Sequence, residues 1–352
     1  MSKSIRVLTI VLSLSLIFLS ANPATAQYKR LDLVSNVSGA ALHTDPNLIN
    51  GWGLAFFPSS PFWVSDAGTG LSSLYGPLGS AVPLVVTIPS AAGGNTPGSP
   101  TGIVANPSND FVVSENGASG PAAFIFDTQD GTISGWNPNV DRTHAVIAVN
   151  NSSSRAFYTG LAIGTDSSGQ NFIFAADQAN NKVDVYDGGF HLVKSFTDPN
   201  LPPGYAPFGI QNIAGQLYVT FAGFLSGAPG GFVDIFDTSG NFVKNFASMG
   251  TLNLPWGLAQ APANFGGFSH NILVGNLGDG LINAFRPNGK FKGQIRDASG
   301  KLISIDGLWA LAFGSDPQAN GAKNQLFFTA GPGFYSQGLF GLITALEDDG
   351  GN

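Results

Sequence analysis

The sequence predicts an all-β fold: a six-bladed β-propeller of four-stranded antiparallel blades, with the N-terminal strand closing the last blade. Three observations predict it. A phrase centred on a small residue returns six times, at Gly53, Gly102, Gly160, Gly209, Gly257 and Ala310, in steps of 49, 58, 49, 48 and 53 residues. That period suits propeller blades and not helical solenoids. Each phrase is followed by short runs of β-branched and aromatic residues bounded by Gly, Pro, Asn and Asp, the signature of strands joined by turns. Finally, 47 Gly and 22 Pro leave no interior stretch long enough for a capped helix.

In each unit the phrase itself, as in Gly51-Trp52-Gly53-Leu54-Ala55 or Pro255-Trp256-Gly257-Leu258-Ala259, reads as the innermost strand. A second apolar run follows: 62–66, 111–115, 172–177, 217–221, 272–276 and 326–330. A third alternates apolar and polar residues, clearest at 182–187, 232–237 and 281–285, as expected of a strand with one wetter face. A Gly turn and a fourth run close the unit at 189–196, 240–246 and 289–295. Unit six offers only three runs, near 308–313, 325–330 and 338–346, whereas Tyr28 to Asn36 is an unclaimed strand-like run. That N-terminal strand is expected to become the outer strand of blade six, leaving no unpaired ring junction.

Residues 1–26 differ in kind. Lys3 and Arg6 precede an apolar stretch from about Val7 to Leu19, and Ala24-Thr25-Ala26 follows. This is the pattern of a signal peptide cleaved after Ala26, and its apolar core is too short to span a hydrocarbon layer of roughly 30 Å. A secreted or periplasmic bacterial protein is expected, with a single propeller domain over 27–346 and an acidic tail over 347–352. The chain has no Cys, so its core alone must hold it together. Removing the leader takes away two positive charges and no acids, moving the formal net charge from −7 to −9. With no basic stripe, nucleic acid is excluded as a partner and anionic membrane surfaces are disfavoured.

Propeller topology sorts loops by face. On the rim where inner strands begin, the residue before the repeated small residue is Trp52, Thr101, Thr159, Phe208, Trp256 and Trp309. The four aromatics either pack between blades or ring a mouth that stacks on a sugar or other flat ligand. The column ending the second runs is Asp66, Glu115, Asp177, Phe221, Asn276 and Ala330. Asp66, Glu115, Asp177 and Asn276 either share a hard cation such as Ca²⁺ or cap turns through backbone N–H groups. Asp45, Asn47 and Asn50 lie on the same rim and suit either arrangement. Gly- and Pro-rich linkers at 89–100, 150–155 and 198–205 cross this rim as spacers or lids.

The pattern Pro-x-Gly-Ile/Leu-Ala, then a strand ending in Asp, then an alternating strand and a Gly turn, resembles the NHL-type six-bladed propellers, whose relatives include lactonase-type and lyase-type enzymes. The segments Asn50 to Ala55, Pro100 to Asn106 and Gly338-Leu339-Phe340-Gly341 are similar to a family of exported bacterial propellers that has no assigned activity. The resemblance implies the fold over the whole mature chain and no particular chemistry. Amidating lyases of this architecture hold zinc with several His, but only His43 falls on the ligand rim here; His144, His191 and His270 fall elsewhere. Lactonase-type relatives use Glu, Asn and Asp around a divalent cation, a set that Glu115, Asn276 and Asp66 or Asp177 would imitate, with Asn116 and Asp279 in reserve. The expected function is a binding or scaffold module for a protein, glycan or small molecule. The alternative is a divalent-metal-dependent, lactonase-like hydrolase.

Overall fold

A computed structural model describes residues 27–94 and 96–346; the expected leader over 1–26 and the expected tail over 347–352 lie outside the described residues. Six antiparallel sheets form the blades, and the described residues contain no helix beyond two single 3₁₀ turns, Ser152–Ser154 and Gly266–Phe268. Blade one is Gly51–Ala55, Phe62–Asp66, Leu71–Tyr75 and Ala81–Thr87, from the axis outward. Blades three, four and five repeat this simple meander, beginning at Tyr158–Thr165, Ala206–Ile213 and Pro255–Gln260. In blade six, Leu308–Phe313, Gln325–Ala330 and Leu339–Ala345 are completed by Tyr28–Ser35, which runs antiparallel to Leu339–Ala345. The clasp expected from strand counting is therefore present. The Tyr28 hydroxyl donates to the Phe265 carbonyl in blade five (3.1 Å), and Leu33 is fully buried, so this end is tied down on two sides. A two-residue strand, His43–Thr44, pairs in parallel outside it as a fifth member of that sheet.

Blade two departs from expectation. Its second strand is Phe124–Thr128, paired with Pro100–Ala105, and its outer strands are Thr132–Trp136 and Val146–Asn150. The run ending in Glu115 is not in the blade: Val112–Glu115 pairs only with Ala118–Pro121 as a separate hairpin. The physical reason is Asn116-Gly117, with φ of 50° and 83°. Two consecutive left-handed residues make the tight turn that matches strand twist, so the chain folds straight back on itself before the blade resumes.

The repeated small residue has a steric cause. Every inner strand loses register across it; in blade three, for example, Tyr158 pairs with Asp177 but Leu161 with Ala175. At this bulge neighbouring inner strands nearly touch. A Cβ at Gly53 would sit 2.3 Å from the Thr101 carbonyl oxygen, one at Gly209 2.3 Å from that of Trp256, and one at Gly257 2.4 Å from that of Trp309. Side-chain hydroxyls stitch the same level together. Thr159 Oγ1 donates to the Phe208 carbonyl (2.8 Å) and Thr329 Oγ1 to that of Trp52 (2.5 Å), each bond crossing to the next blade. Six hydrophobic clusters fill the six blade interfaces, and a seventh sits on the axis. Burial of these faces is the main favourable term holding a chain with no disulfide.

Candidate functional site

The axis is closed at one end and open at the other. At the rim where inner strands begin, Trp52, Phe208, Trp256 and Trp309 converge, the four aromatics singled out from the sequence. Trp52 and Trp309 stack at 3.5 Å across the junction of blades one and six, and Trp256 stands edge-on to both at 6.4 and 5.9 Å. Phe208 meets Trp309 at 5.8 Å and stacks on Phe224 at 4.8 Å. Trp52, Phe208 and Trp309 are at most 1 % exposed, so these rings fill the axis as a plug. Trp256 alone of the four reaches the channel, its indole N–H donating to the Thr159 carbonyl (2.7 Å). The Trp309 N–H donates to Asn50 Oδ1 (2.8 Å), the role Asn50 takes here.

Below the plug the channel is a neck of about 30 Å³, bounded by Gly53, Gly102, Ala310 and Trp256. It then widens into a funnel of about 530 Å³ that opens where the inner strands end. Its depth is walled by the residue after each small residue: Leu54, Ile103, Leu161, Ile210, Leu258 and Leu311. Phe56, Ile163, Ile213 and Phe313 line the mouth together with the amides of Gln211, Asn212 and Gln260. Asn212 is already engaged, donating to the Ile163 carbonyl (2.9 Å), whereas Gln211 and Gln260 are exposed. Among the described residues no Asp, Glu, Lys, Arg or His lines this cavity. Each inner strand is the last strand of its sheet, so one edge of its backbone N–H and C=O groups remains unpaired within the blade and faces the axis. Chemically the funnel is uncharged, its wall shared almost evenly between aliphatic carbon and polar atoms from the unpaired strand edges and side-chain amides. Sequence reasoning looked to the opposite rim and missed it, although the aliphatic column after each small residue was the available signal.

The four residues considered as metal ligands are not brought together. Asp66 is fully buried; burial, opposed by Ser73 and reinforced by the charge of Asp45, pushes its carboxyl well above the usual range. Asp177 caps a turn, with Oδ1 accepting from the Phe157 N–H (3.1 Å) and Oδ2 from the Asn180 amide (2.7 Å). The Asn276 amide donates to the Thr251 carbonyl (2.8 Å) and to Asp279 (3.1 Å). Glu115 is exposed on the extra hairpin, away from the column assigned to it. By register, the blade-two member of that column is Thr128, preceded by the buried Asp127. Among the described residues no three of His, Cys, Asp and Glu are placed to hold a metal ion. His43 contacts the Leu78 carbonyl at the surface (3.1 Å), and His144 and His191 lie against Asp141 and Asp187.

No family model matches the sequence. Among solved structures, virginiamycin B lyase from Staphylococcus aureus is similar with a TM-score of 0.54 at 13 % identity, covering 92 % of this chain and all of that one. A streptogramin B lyase structure is similar with a TM-score of 0.54 at 12 % identity, covering 91 % of this chain and 97 % of that one. At such identities the likeness is one of fold. Sequence relatives are closer. The uncharacterised protein R648 of Acanthamoeba polyphaga mimivirus is 33 % identical over 336 residues, covering 91 % of this chain and 81 % of that protein. A second protein of that virus, L690, is 33 % identical over 306 residues, covering 82 % and 79 %. Identity at this level over nearly the whole propeller places the chain in one family with these mimivirus proteins.

Proposed function

We propose that this is an exported binding module whose ligand seat is the axial funnel, and that the ligand is a small neutral molecule with a largely hydrocarbon body. The leader pattern supports export. The observation that carries the binding reading is a cavity of about 530 Å³ lined by Leu54, Ile103, Leu161, Leu258 and Leu311 and, among the described residues, by no ionisable group. Small-molecule pockets typically run from roughly 300 to 1,000 Å³, mostly apolar with a few placed polar groups. A charged ligand would surrender its hydration here and find no counter-charge, a cost that selects against it. The aromatic plug makes the funnel a blind pocket, so the ligand enters and leaves by one mouth.

The test is titration with the neutral fluorophore N-phenyl-1-naphthylamine, with wild type compared against Gln211→Trp. Gln211 is exposed and lines the wall, so the indole fills the funnel without disturbing the core. A saturable fluorescence rise in wild type, weakened at least tenfold in the variant at unchanged melting temperature, is the expected result. Equal binding by both proteins would show that the probe sits elsewhere and would remove the funnel as the seat.

A further inference from the structure

We infer that an open cavity beside the outer strand of blade six is a second site, and that it takes a phosphate monoester with a small apolar body. It is independent of the funnel. One wall is the N-terminal strand Tyr28–Ser35, and the other is the segment 296–304 that joins blades five and six. That segment turns back on itself, the Asp297 N–H donating to the Lys301 carbonyl (2.8 Å) and the Gly300 N–H to the Asp297 carbonyl (2.9 Å). Two contacts fix the walls to each other. The Tyr28 N–H donates to the Arg296 carbonyl (2.8 Å), and the Arg30 guanidinium donates through Nη1 to the Ser304 carbonyl (2.9 Å) while its Nε donates to Asp32 (2.7 Å). The space between them is about 660 Å³. Small-molecule pockets run from roughly 300 to 1,000 Å³.

The charge gathered there carries the inference. Lys29, Arg30 and Lys301 line the cavity against Asp297 alone, three of the chain's 15 Lys and Arg but one of its 22 Asp and Glu. Arg30 is spent on Asp32 and Ser304, and Asp297 on its own turn, where Oδ1 accepts from the Ser299 and Lys301 N–H groups (2.8 and 3.0 Å). Hydrogen bonds from Ser299, then from Lys301 with its charge, hold the Asp297 carboxyl below the usual range, so it stays ionised and offsets part of the Lys301 charge. Lys29 and Lys301 are both exposed, one on each wall, and neither ammonium forms an ion pair among the described residues. Each is a point charge with three donors. A phosphate monoester brings a charge of about −1.5 to −2 at pH 7 and three acceptor oxygens, enough to engage both ammonium groups at once. A carboxylate brings one charge and two oxygens and leaves one ammonium unbalanced. Half-buried Leu302 and Leu346, over the buried Tyr28 and Ile303, supply the apolar wall that receives the body of the ester.

Ligand-observed NMR tests this, with phenyl phosphate as the probe and inorganic phosphate and benzoate as comparators. Wild type is expected to bind phenyl phosphate at least tenfold more tightly than either comparator. Lys29→Gln/Lys301→Gln is expected to weaken that binding at least tenfold at unchanged melting temperature, because both side chains are exposed and unpaired. Lys29→Arg/Lys301→Arg keeps both charges and retains binding. Lys244→Gln/Lys290→Gln, which removes two exposed cations outside the cavity, binds as wild type does, and so does Gln211→Trp, which fills the funnel. Glu347, Asp348 and Asp349 follow the wall residue Leu346 in the chain, so Glu347→Gln/Asp348→Asn/Asp349→Asn is expected to bind equally or more tightly. The inference is overturned if phenyl phosphate does not bind at tens of millimolar, if Lys29→Gln/Lys301→Gln binds it as wild type does, or if the triple variant binds it more weakly. It is equally overturned if Lys244→Gln/Lys290→Gln loses as much, since net charge and not the cavity would then hold the probe. Benzoate binding as tightly as phenyl phosphate would remove the doubly charged head, and inorganic phosphate doing so would remove the apolar body.

Discussion

Gly209→Ala is expected to destabilise the protein by about 3 kcal/mol, at the upper end of the range for overpacking, although it adds one methyl group and asks for no unusual backbone conformation. The added Cβ would sit 2.3 Å from the Trp256 carbonyl oxygen and 3.1 Å from the Trp256 Cα. Both are backbone atoms of the next inner strand, so no side chain can swing aside. Relief requires moving a blade outward, and in a closed ring an outward step at one junction strains its neighbours. The Thr220 hydroxyl also receives the Gly209 N–H (2.8 Å), a bond that any shift of the bulge weakens. The reverse substitution at the sixth position, Ala310→Gly, is expected to cost only about 0.5–1 kcal/mol, the usual entropic penalty of glycine. There the stacked Trp52 and Trp309 rings already space the junction and a methyl group is accommodated. Denaturant midpoints of the two variants check the contrast; a Gly209→Ala protein as stable as wild type would mean that the junctions are loose and the repeat has another cause.

That steric cause is why so much of the fold was legible. A residue that must be small once per blade writes the blade number and period directly into the sequence, and strand counting then identifies Tyr28–Ser35 as the missing partner of blade six. Blade two was misread because periodicity reports that a segment is a strand and says nothing of its partner. The segments 111–115 and 124–128 have the same apolar character; only the Asn116-Gly117 turn distinguishes them, and its meaning is local reversal.

The sites were less legible, for a related reason. Columns such as Trp52, Phe208, Trp256 and Trp309 follow from the period, but the direction of each side chain depends on the bulge, which shifts register at the residue beside it. Hence the aromatic column could be found without showing that it plugs the axis, and the aliphatic column one step beyond the small residue drew no attention. The polar column was equally visible, but the Asp177 oxygens and the Asn276 amide nitrogen are spent on nearby backbone and turn residues. Gln178 and Asp127 are ordinary in sequence. Each is buried without full pairing, as are Trp52 and Asp66, and that is a property of packing alone.

Asp127→Asn is expected to stabilise the protein relative to wild type by an amount that grows from near zero at pH 4 to about 4 kcal/mol at pH 7 and stays constant above it. Asp127 has no exposed surface. Burial pushes its carboxyl up to about 7, partly opposed by hydrogen bonds from Thr101 Oγ1 (2.6 Å) and the Gly102 N–H (2.5 Å). An Asp in the unfolded chain titrates near 3.9. Below that value both states hold the proton and stability is unaffected. Between about 4 and 7 the unfolded chain releases the proton while the folded protein keeps it, so stability falls by about 1.4 kcal/mol per pH unit. Above 7 both states are ionised and the loss is complete. Asparagine stays neutral throughout and still offers Oδ1 to Thr101 and Gly102, so its curve lacks this fall. The lowered carboxyls of Asp187 and Asp237 act in the opposite sense, and the raised one of Asp66 in the same sense, but all are common to both proteins and cancel in the difference. Unfolding free energies at pH 4, 5.5, 7 and 8.5 test the expectation. Parallel curves across that range would show that Asp127 is ionised in the folded hub, and that the bulge beside Gly102 holds a charge where packing indicates a neutral acid.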